Sequence, residues 1–174
     1  MKRLLLLRHA KAAQDTGEGD LARVLTDRGR TDAAHMGHAM DVRGYLPDAV
    51  ICSTAQRTRQ TWAVLSAELA KPSAVSFRKE LYLASPRQIL EQVHQTEDAV
   101  DVLLVVGHNP GMQECALRLA RRPLSKSEGH KREDMREKFP TCALAVLDFD
   151  ATSWSDVTAE GILLEFLRPR DLRD

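Results

Sequence analysis

The chain has 174 residues, of which 43% are hydrophobic and 29% charged, and its 25 basic and 25 acidic residues leave no formal net charge at pH 7. This length and composition are typical of one globular domain, which we expect over residues 1–174. The balanced charge argues against nucleic-acid and membrane partners, and no apolar stretch has the length of a transmembrane helix. We therefore expect a cytoplasmic protein whose three cysteines are buried and reduced.

Apolar runs separated by polar residues predict strands that alternate with helices. In chain order the pattern predicts a strand at 3–8, a helix starting near Thr26, a strand at Ala49–Cys52, a helix at 55–70, a strand at Ala74–Phe77, a helix opening at Ser85-Pro86, a strand at 101–106, a helix opening at Asn109-Pro110, and strands at Cys142–Phe149 and 161–167. The last two strands are expected to pair antiparallel. The order predicts an α/β fold, a three-layer sandwich with helices on both faces of a mixed, mostly parallel sheet.

Residues 121–138 break this alternation, because they are rich in Arg, Lys and Glu and contain little apolar material. We expect them to form a charged surface excursion, with or without a short helix. Since they follow the helix that opens at Asn109-Pro110, one hypothesis is that they border the functional site and select the substrate.

Two of the predicted strands end on a histidine. His9 follows Leu4–Leu7 with Arg8 beside it, and His108 follows Val102–Val106. Ligands of open α/β sheets bind at the carboxyl ends of the strands, so the two histidines are expected to meet there. The planar fork of an arginine matches phosphate oxygens. The pattern therefore predicts an active site that binds a phosphate group.

The other two parallel strands supply further candidates. Arg57 lies in the first turn of the helix after Ala49–Cys52, where it can reach back across the edge of the sheet. Arg59 points about 200° away around the same helix, so only one of the two arginines can share that direction. Glu80 follows the third strand and is the candidate general acid, although it could equally be a solvated carboxylate beside two basic residues.

A site that transfers a phosphoryl group without a metal needs a nucleophile, cationic donors and an acid. His9 is the expected nucleophile, because an imidazole is largely neutral at pH 7 and nearby arginines lower its pKa further. Arg8, Arg57 and His108 would neutralise the phosphoryl oxygens, and Glu80 or the leaving group itself would handle the proton. No metal and no cofactor are expected.

Three segments of the chain carry a family resemblance, namely Arg8-His9-Ala10, Ser53…Arg57…Gln60-Thr61 and Gly107-His108. In order and spacing they resemble the three signatures of the histidine phosphatase superfamily, which has the phosphoglycerate mutase-like fold. The short chain, the sequence Leu-Thr-Asp-Arg-Gly at 25–29 and Asn109-Pro110 make it most similar to the SixA-like phosphohistidine phosphatases.

The resemblance implies that His9 becomes transiently phosphorylated and that Arg8, Arg57 and His108 complete the phosphate pocket. It places Glu80 where many members carry their proton donor, and Ser53 and Asn109 are expected to contact the substrate. The chain departs from the family in having Ala10 where glycine is usual, and the added methyl group tightens the loop.

The resemblance implies a phosphorylated protein as the substrate, with phosphohistidine as its reactive group. A phosphatase acting on a small phosphorylated metabolite is the first alternative. A phosphoglycerate mutase and a non-catalytic phosphate-binding module are the others. The size of the chain permits a monomer or a weak homodimer.

Overall fold

The computed structural model describes residues 1–173, which build a single six-stranded sheet with helices on both faces. The strands are β1 Lys2–Arg8, β2 Ala49–Ser53, β3 Ala74–Arg78, β4 Val102–Gly107, β5 Leu144–Phe149 and β6 Ile162–Leu167. The helices are α1 Asp27–Arg43, α2 Gln56–Ser66, α3 Pro86–His94, α4 Gly111–Leu119 and α5 Lys126–Glu137. Within residues 1–173, no helix combines the length and the apolar character that crossing a membrane requires.

The strand order across the sheet is β3-β2-β4-β1-β5-β6. The first four strands are parallel, whereas β5 runs antiparallel to both of its neighbours, β1 and β6. All strands except β5 therefore point in the same direction, and their carboxyl ends lie at the edge of the sheet where β5 begins. This edge is called the C-terminal edge below.

The leucines of β1 show how the sheet divides two hydrophobic cores. Leu4 and Leu6 pack in the core that α3, α4 and α5 cover, and Leu5 and Leu7 pack in the core covered by α1 and α2. All four are fully buried. Successive side chains of a strand point to opposite faces, so a run of leucines suits a strand with a helix layer on each side. The predicted three-layer α/β sandwich on a mixed sheet is confirmed.

The predicted starts of two helices are confirmed, and each start has a side chain that caps it. The Thr26 side chain accepts a hydrogen bond from the backbone N–H of Gly29 at 3.0 Å and begins α1. Ser85 and Gln88 form a reciprocal capping box at the start of α3. Gly29 also allows α1 to approach the loop after β1, because a Cβ there would lie 2.1 Å from the carbonyl oxygen of Lys11.

Two predicted boundaries were wrong. Helix α2 ends at Ser66, not at residue 70, because its last turn tightens: the N–H of Glu68 bonds the carbonyl of Leu65 at 3.0 Å. Strand β5 begins at Leu144, not at Cys142. Cys142 has a left-handed φ of 61°, and its N–H is shared between the carbonyls of Arg8, the last residue of β1, and His9.

The charged excursion at 121–138 contains a regular helix of twelve residues, α5. Ser125 caps it by accepting a hydrogen bond from the N–H of Glu128 at 3.1 Å. Met135 is fully buried in the core, and the side chain of Gln113 on α4 donates to its carbonyl at 3.0 Å. A single apolar residue therefore anchors a helix whose composition gives almost no amphipathic signal.

Candidate active site

His9 lies at the C-terminal edge, immediately after β1, and only 7% of its surface is exposed to solvent. Its backbone N–H bonds the carbonyl of Gly107 at the end of β4 at 3.1 Å. Its Nδ1 lies 2.7 Å from the carbonyl oxygen of Ala10. A carbonyl can only accept, so Nδ1 carries the ring proton and Nε2 keeps a free lone pair. The local backbone thus selects the tautomer that a nucleophilic Nε2 requires.

His108 lies after β4, and its ring centroid is 5.4 Å from that of His9. Its Nε2 is 2.7 Å from the hydroxyl oxygen of Ser53, which also accepts a bond from the N–H of Ala55 at 3.4 Å. The hydroxyl proton of Ser53 is therefore best directed at Nε2, which leaves the proton of His108 on Nδ1. That Nδ1 is buried and has no hydrogen-bond partner within residues 1–173.

Arg8 and Arg57 bring two guanidinium groups to the same place. The Arg8 guanidinium donates to the carbonyl of Phe139 at 3.0 Å, and that of Arg57 donates to the carbonyl of Asp20 at 2.8 Å. The Nε of each arginine is buried without a partner in the described part of the chain. The charges of both arginines lower the pKa of His9 and of His108, so the four side chains are electrostatically coupled. We call Arg8, His9, Arg57 and His108 the histidine–arginine cluster.

Asp20, in a short 3-10 helix at Asp20–Ala22, covers one side of the cluster. Its carboxylate pairs with Arg57 at 2.9 Å and with Arg23 at 3.1 Å, and it accepts a hydrogen bond from the hydroxyl of Tyr82. The ring of Tyr82 in turn stands edge-on to His108 with centroids 5.4 Å apart. The hydroxyl of Tyr82 and the two arginines hold the pKa of the Asp20 carboxyl well below its usual range.

The pKa of each histidine in the cluster is lowered by its surroundings. That of His9 falls from an ordinary 6.5 to about 4, chiefly because the ring is buried and also because three nearby arginines disfavour a further positive charge. That of His108 falls to about 3, again mainly through burial, with His9 and Arg57 as the next causes. Both rings are therefore neutral at pH 7, as a nucleophilic imidazole must be.

The structure distinguishes between the two arginines of α2. Arg57 is 2% exposed and faces the cluster. Arg59 points elsewhere: its guanidinium lies 4.2 Å from the centroid of the Phe77 ring and donates to the carbonyl of Thr54 at 2.9 Å. The structure therefore brings Arg57, and not Arg59, next to the two histidines, and the role of Arg57 in catalysis stays a prediction.

Two of the predicted site residues make no side-chain hydrogen bond to the cluster within the described residues. Glu80 is exposed in a second 3-10 helix, Lys79–Leu81, and has no hydrogen bond or ion pair to the cluster among residues 1–173. Asn109 follows His108, but both ends of its amide bond the protein: Nδ2 donates to the carbonyl of Phe139 at 3.0 Å, and Oδ1 accepts from the N–H of Gln113 at 3.2 Å. Its predicted contact with substrate stays a prediction.

The Gln60-Thr61 pair of the second motif supports the loops around the cluster. The Thr61 hydroxyl accepts from the N–H of Ala10 at 2.9 Å and donates to the carbonyl of Arg57 at 2.6 Å. The side-chain oxygen of Gln60 accepts from the N–H of Leu25 at 2.8 Å. The methyl group of Ala10 is fully buried in the core that α1 and α2 cover, so it adds packing there.

Sequence reasoning missed Asp20, Arg23 and Tyr82. Each is an isolated polar or aromatic residue in a connecting segment, and its nearness to the cluster depends on how the loops pack. Residues 14–20 were interpreted only as a loop, and the nearest sequence signal was Asp20 just before the apolar residues that precede α1. Within residues 1–173, no group of three or more His, Cys, Asp or Glu side chains is arranged to hold a metal ion.

Comparison with known proteins identifies the class to which this fold and cluster belong. The histidine phosphatase superfamily (branch 1) matches residues 4–81, the segment that contains Arg8, His9 and Arg57. A protein of Mycobacterium tuberculosis is 39% identical over 153 residues, which cover 87% of this chain and 91% of that protein.

Solved structures extend the match over the rest of the chain. A candidate SixA phosphohistidine phosphatase from Nakamurella multipartitia is 31% identical, with a TM-score of 0.81 over 97% of this chain and 96% of the other. One from Agrobacterium tumefaciens is 32% identical, with a TM-score of 0.78 over 97% and 98%. The chain therefore belongs to the histidine phosphatase superfamily, and it is a phosphatase.

Proposed function

We propose that the protein is a phosphohistidine phosphatase that works through a covalent phosphoryl group on His9. The observation that carries the proposal is that Arg8 Nε, Arg57 Nε and His108 Nδ1 are buried and have no hydrogen-bond partner within residues 1–173. All three belong to the cluster that also holds the free lone pair of His9 Nε2. Buried donors are normally hydrogen-bonded, and leaving them unpaired is costly. A phosphoryl group has three peripheral oxygens that can accept from such donors.

In the proposed reaction, His9 Nε2 attacks the phosphorus of the substrate in line with the bond that breaks. The electron pair of the substrate P–N bond goes to the leaving imidazole, which takes up a proton from water. Arg8, Arg57 and His108 stabilise the negative charge on the transferring oxygens. A water molecule then attacks the phosphorylated His9, the new P–N bond breaks with its electrons returning to Nε2, and inorganic phosphate leaves.

The acids near the cluster favour a nitrogen leaving group over an alkoxide. Asp20 is the carboxylate in contact with the cluster, and its lowered pKa leaves it without a proton to donate at pH 7. Glu80 is exposed and has no bond to the cluster. An imidazole can depart without a strong acid, whereas an alkoxide requires one, so the pocket suits a P–N bond better than a P–O bond to an alkyl group.

The similarity to two structures named as SixA phosphohistidine phosphatases, each above 30% identity, supports the same substrate class. We take the substrate to be a protein that carries the phosphohistidine, and the location to be the cytoplasm, which accords with three free, buried cysteines. A monomer or a weak homodimer stays a prediction.

The test is a comparison of leaving groups. We expect kcat/KM to be highest for a phosphohistidine peptide, lower for p-nitrophenyl phosphate, and at least about 10²-fold lower for glycerol phosphate, because general acid catalysis typically supplies 10²–10⁴. If glycerol phosphate or another alkyl phosphate were hydrolysed as fast as the peptide, the protein would instead be a metabolite phosphatase. Transfer of phosphate within a phosphoglycerate, primed by a bisphosphate, would identify a mutase.

A further inference from the structure

A cationic cleft with a volume of about 250 Å³ opens at the loop that follows His9. It lies between the loop after His9, the start of α1, the turn before β5 and the segment after β6. Six cationic side chains line it: Lys11, Arg28, Lys138, Arg168, Arg170 and Arg173.

The cleft shares the C-terminal edge of the sheet with the cluster. The N–H of Cys142, in the turn before β5, bonds the carbonyl of Arg8 at 3.1 Å and that of His9 at 2.9 Å. The N–H of Thr26, the cap of α1, bonds the carbonyl of Lys11 at 3.0 Å. Strand β6 is the second neighbour of β1, so its end is about 10 Å from His9 along the sheet. An extended chain whose phosphoryl group reaches His9 can therefore also reach the cleft.

The positive charge of the cleft is only partly neutralised by the protein. Within the cleft, the buried carboxylate of Asp32 forms ion pairs with Arg173 at 3.1 Å and with Arg28 at 3.9 Å. Arg168 pairs with Asp171 at 2.9 Å and with Asp134 at 3.6 Å.

The other three cations of the cleft, Lys11, Lys138 and Arg170, are exposed. None of them has an ion pair or a side-chain hydrogen bond to another part of residues 1–173. In a chain without net charge, this is a local excess of positive charge next to the candidate active site.

We propose that the cationic cleft is a docking site for an acidic segment of the phosphoprotein substrate, and this inference rests on the proposed function. Three exposed cations that have no ion pair within residues 1–173 match several carboxylates better than a single small anion, and complementary charge favours the encounter with such a partner. A distance of about 10 Å corresponds to about three residues of extended chain. The acidic residues therefore lie about three or more positions from the phosphohistidine, or on the adjoining surface of its domain.

The test compares two phosphohistidine peptides that differ only in their flanks, Glu/Asp in one and Gln/Asn in the other. The cleft variant combines Lys138→Glu with Arg170→Glu and leaves Lys11 intact, because Lys11 is close to His9. The matched control combines Arg122→Glu with Lys126→Glu. Arg122 follows Arg121, whose N–H bonds the carbonyl of Gly161 before the start of β6, at the edge of the sheet opposite the cluster. Lys126 is the first residue of α5. Both cations are exposed, and neither has an ion pair in the described chain.

For the wild type we expect a KM about tenfold lower for the acidic peptide than for the neutral one, with similar kcat, and loss of this preference at about 0.5 M NaCl. The cleft variant should lose the preference but hydrolyse the neutral peptide and p-nitrophenyl phosphate within about twofold of the wild type. The control variant should keep the preference. An equal KM for both peptides in the wild type, or an unchanged preference in the cleft variant, would overturn the docking site.

Calorimetric binding of the unphosphorylated acidic peptide separates this proposal from the proposed function. If phosphohistidine peptides are not hydrolysed but the acidic peptide binds the wild type and not the cleft variant, the phosphohistidine assignment fails and the docking site stands. If inorganic pyrophosphate binds in a cleft-dependent manner and the acidic peptide does not, the cleft is a small-anion site and the docking proposal fails.

Discussion

The histidine–arginine cluster and the cationic cleft are two positively charged regions at one edge of one sheet, and they differ in burial. In the cluster, His9 and His108 are almost inaccessible, and burial lowers the pKa of both. In the cleft, Lys11 and Lys138 are exposed. Buried charges and dipoles act strongly on a reacting group, whereas exposed charges are screened and act mainly on encounter and specificity. The comparison predicts that changes in the cluster act on kcat and changes in the cleft act on KM.

The largest effect is expected from His9→Ala, which removes the nucleophile and should reduce turnover of a phosphohistidine peptide below detection. His130→Ala is the control, because His130 is an exposed histidine on α5. Steady-state phosphate release measures both variants. Substantial turnover in His9→Ala would show that the cluster reacts through a different group.

Arg57→Ala should lower kcat by about 10²–10³, the usual cost of removing one donor from a transition state. Arg59→Ala on the same helix is the control, since its guanidinium stacks on Phe77 outside the cluster. We expect the control to change kcat by less than about threefold, because Arg59 is half-buried but bonds the carbonyl of Thr54 and not the cluster. Equal losses in the two variants would mean that the effect comes from α2 as a whole.

Ser53→Ala should lower kcat by about tenfold, because one hydrogen bond that orients His108 would be lost. Ser53→Thr keeps the hydroxyl and should recover part of the rate. A fall in stability without any change in kcat would assign Ser53 a structural role only. Circular dichroism melting and steady-state kinetics on the same samples separate these outcomes.

Acid should destabilise the protein through the two buried histidines. Their pKa values are lower in the folded state than in the unfolded state, so the unfolded chain binds more protons between about pH 6.5 and pH 4. The free energy of unfolding therefore falls as the pH falls through this window, by about 2 kcal/mol for each histidine at pH 5.

Urea titrations at pH 7 and pH 5 measure this loss. His108→Asn should lose less stability between the two pH values than the wild type does, and the control His130→Ala should lose as much as the wild type. Identical losses in all three proteins would show that the folded-state pKa of His108 is not lowered.

The smallest effect is expected from Ala10→Gly, which restores the residue usual in the family. The methyl group of Ala10 is buried away from the cluster, so its removal should lower the free energy of unfolding by about 1 kcal/mol. Activity should stay within about twofold, since neither the backbone carbonyl that holds His9 nor the cluster changes. A large gain in kcat would mean that the methyl group hinders the substrate.

The sequence predicted the strands and their order along the chain, because burial on both faces of a sheet requires apolar runs. Buried apolar runs such as Leu4–Leu7 defined the strands, and the parallel arrangement then brought His9 and His108 to one edge. The opposite directions of Arg57 and Arg59 around α2 were also predictable from their spacing of two residues.

The parts that were not predicted depend on tertiary packing or on the backbone. Asp20 and Tyr82 reach the cluster only because two separate loops fold over it. The bond from Arg8 to the carbonyl of Phe139 involves a backbone group, which any residue could supply. Helix α5 was obscured because Met135 is its single buried residue.

The most direct test of the account is to trap the phosphoryl intermediate. The protein is mixed with a ³²P-phosphohistidine peptide, quenched in alkali within milliseconds and digested for mass spectrometry. We predict an acid-labile, alkali-stable phosphoryl group on His9, which accumulates in the wild type and is absent from His9→Ala. Label on His108, or turnover of the peptide with no alkali-stable label on the protein at any time, would contradict the central claim that His9 is the nucleophile.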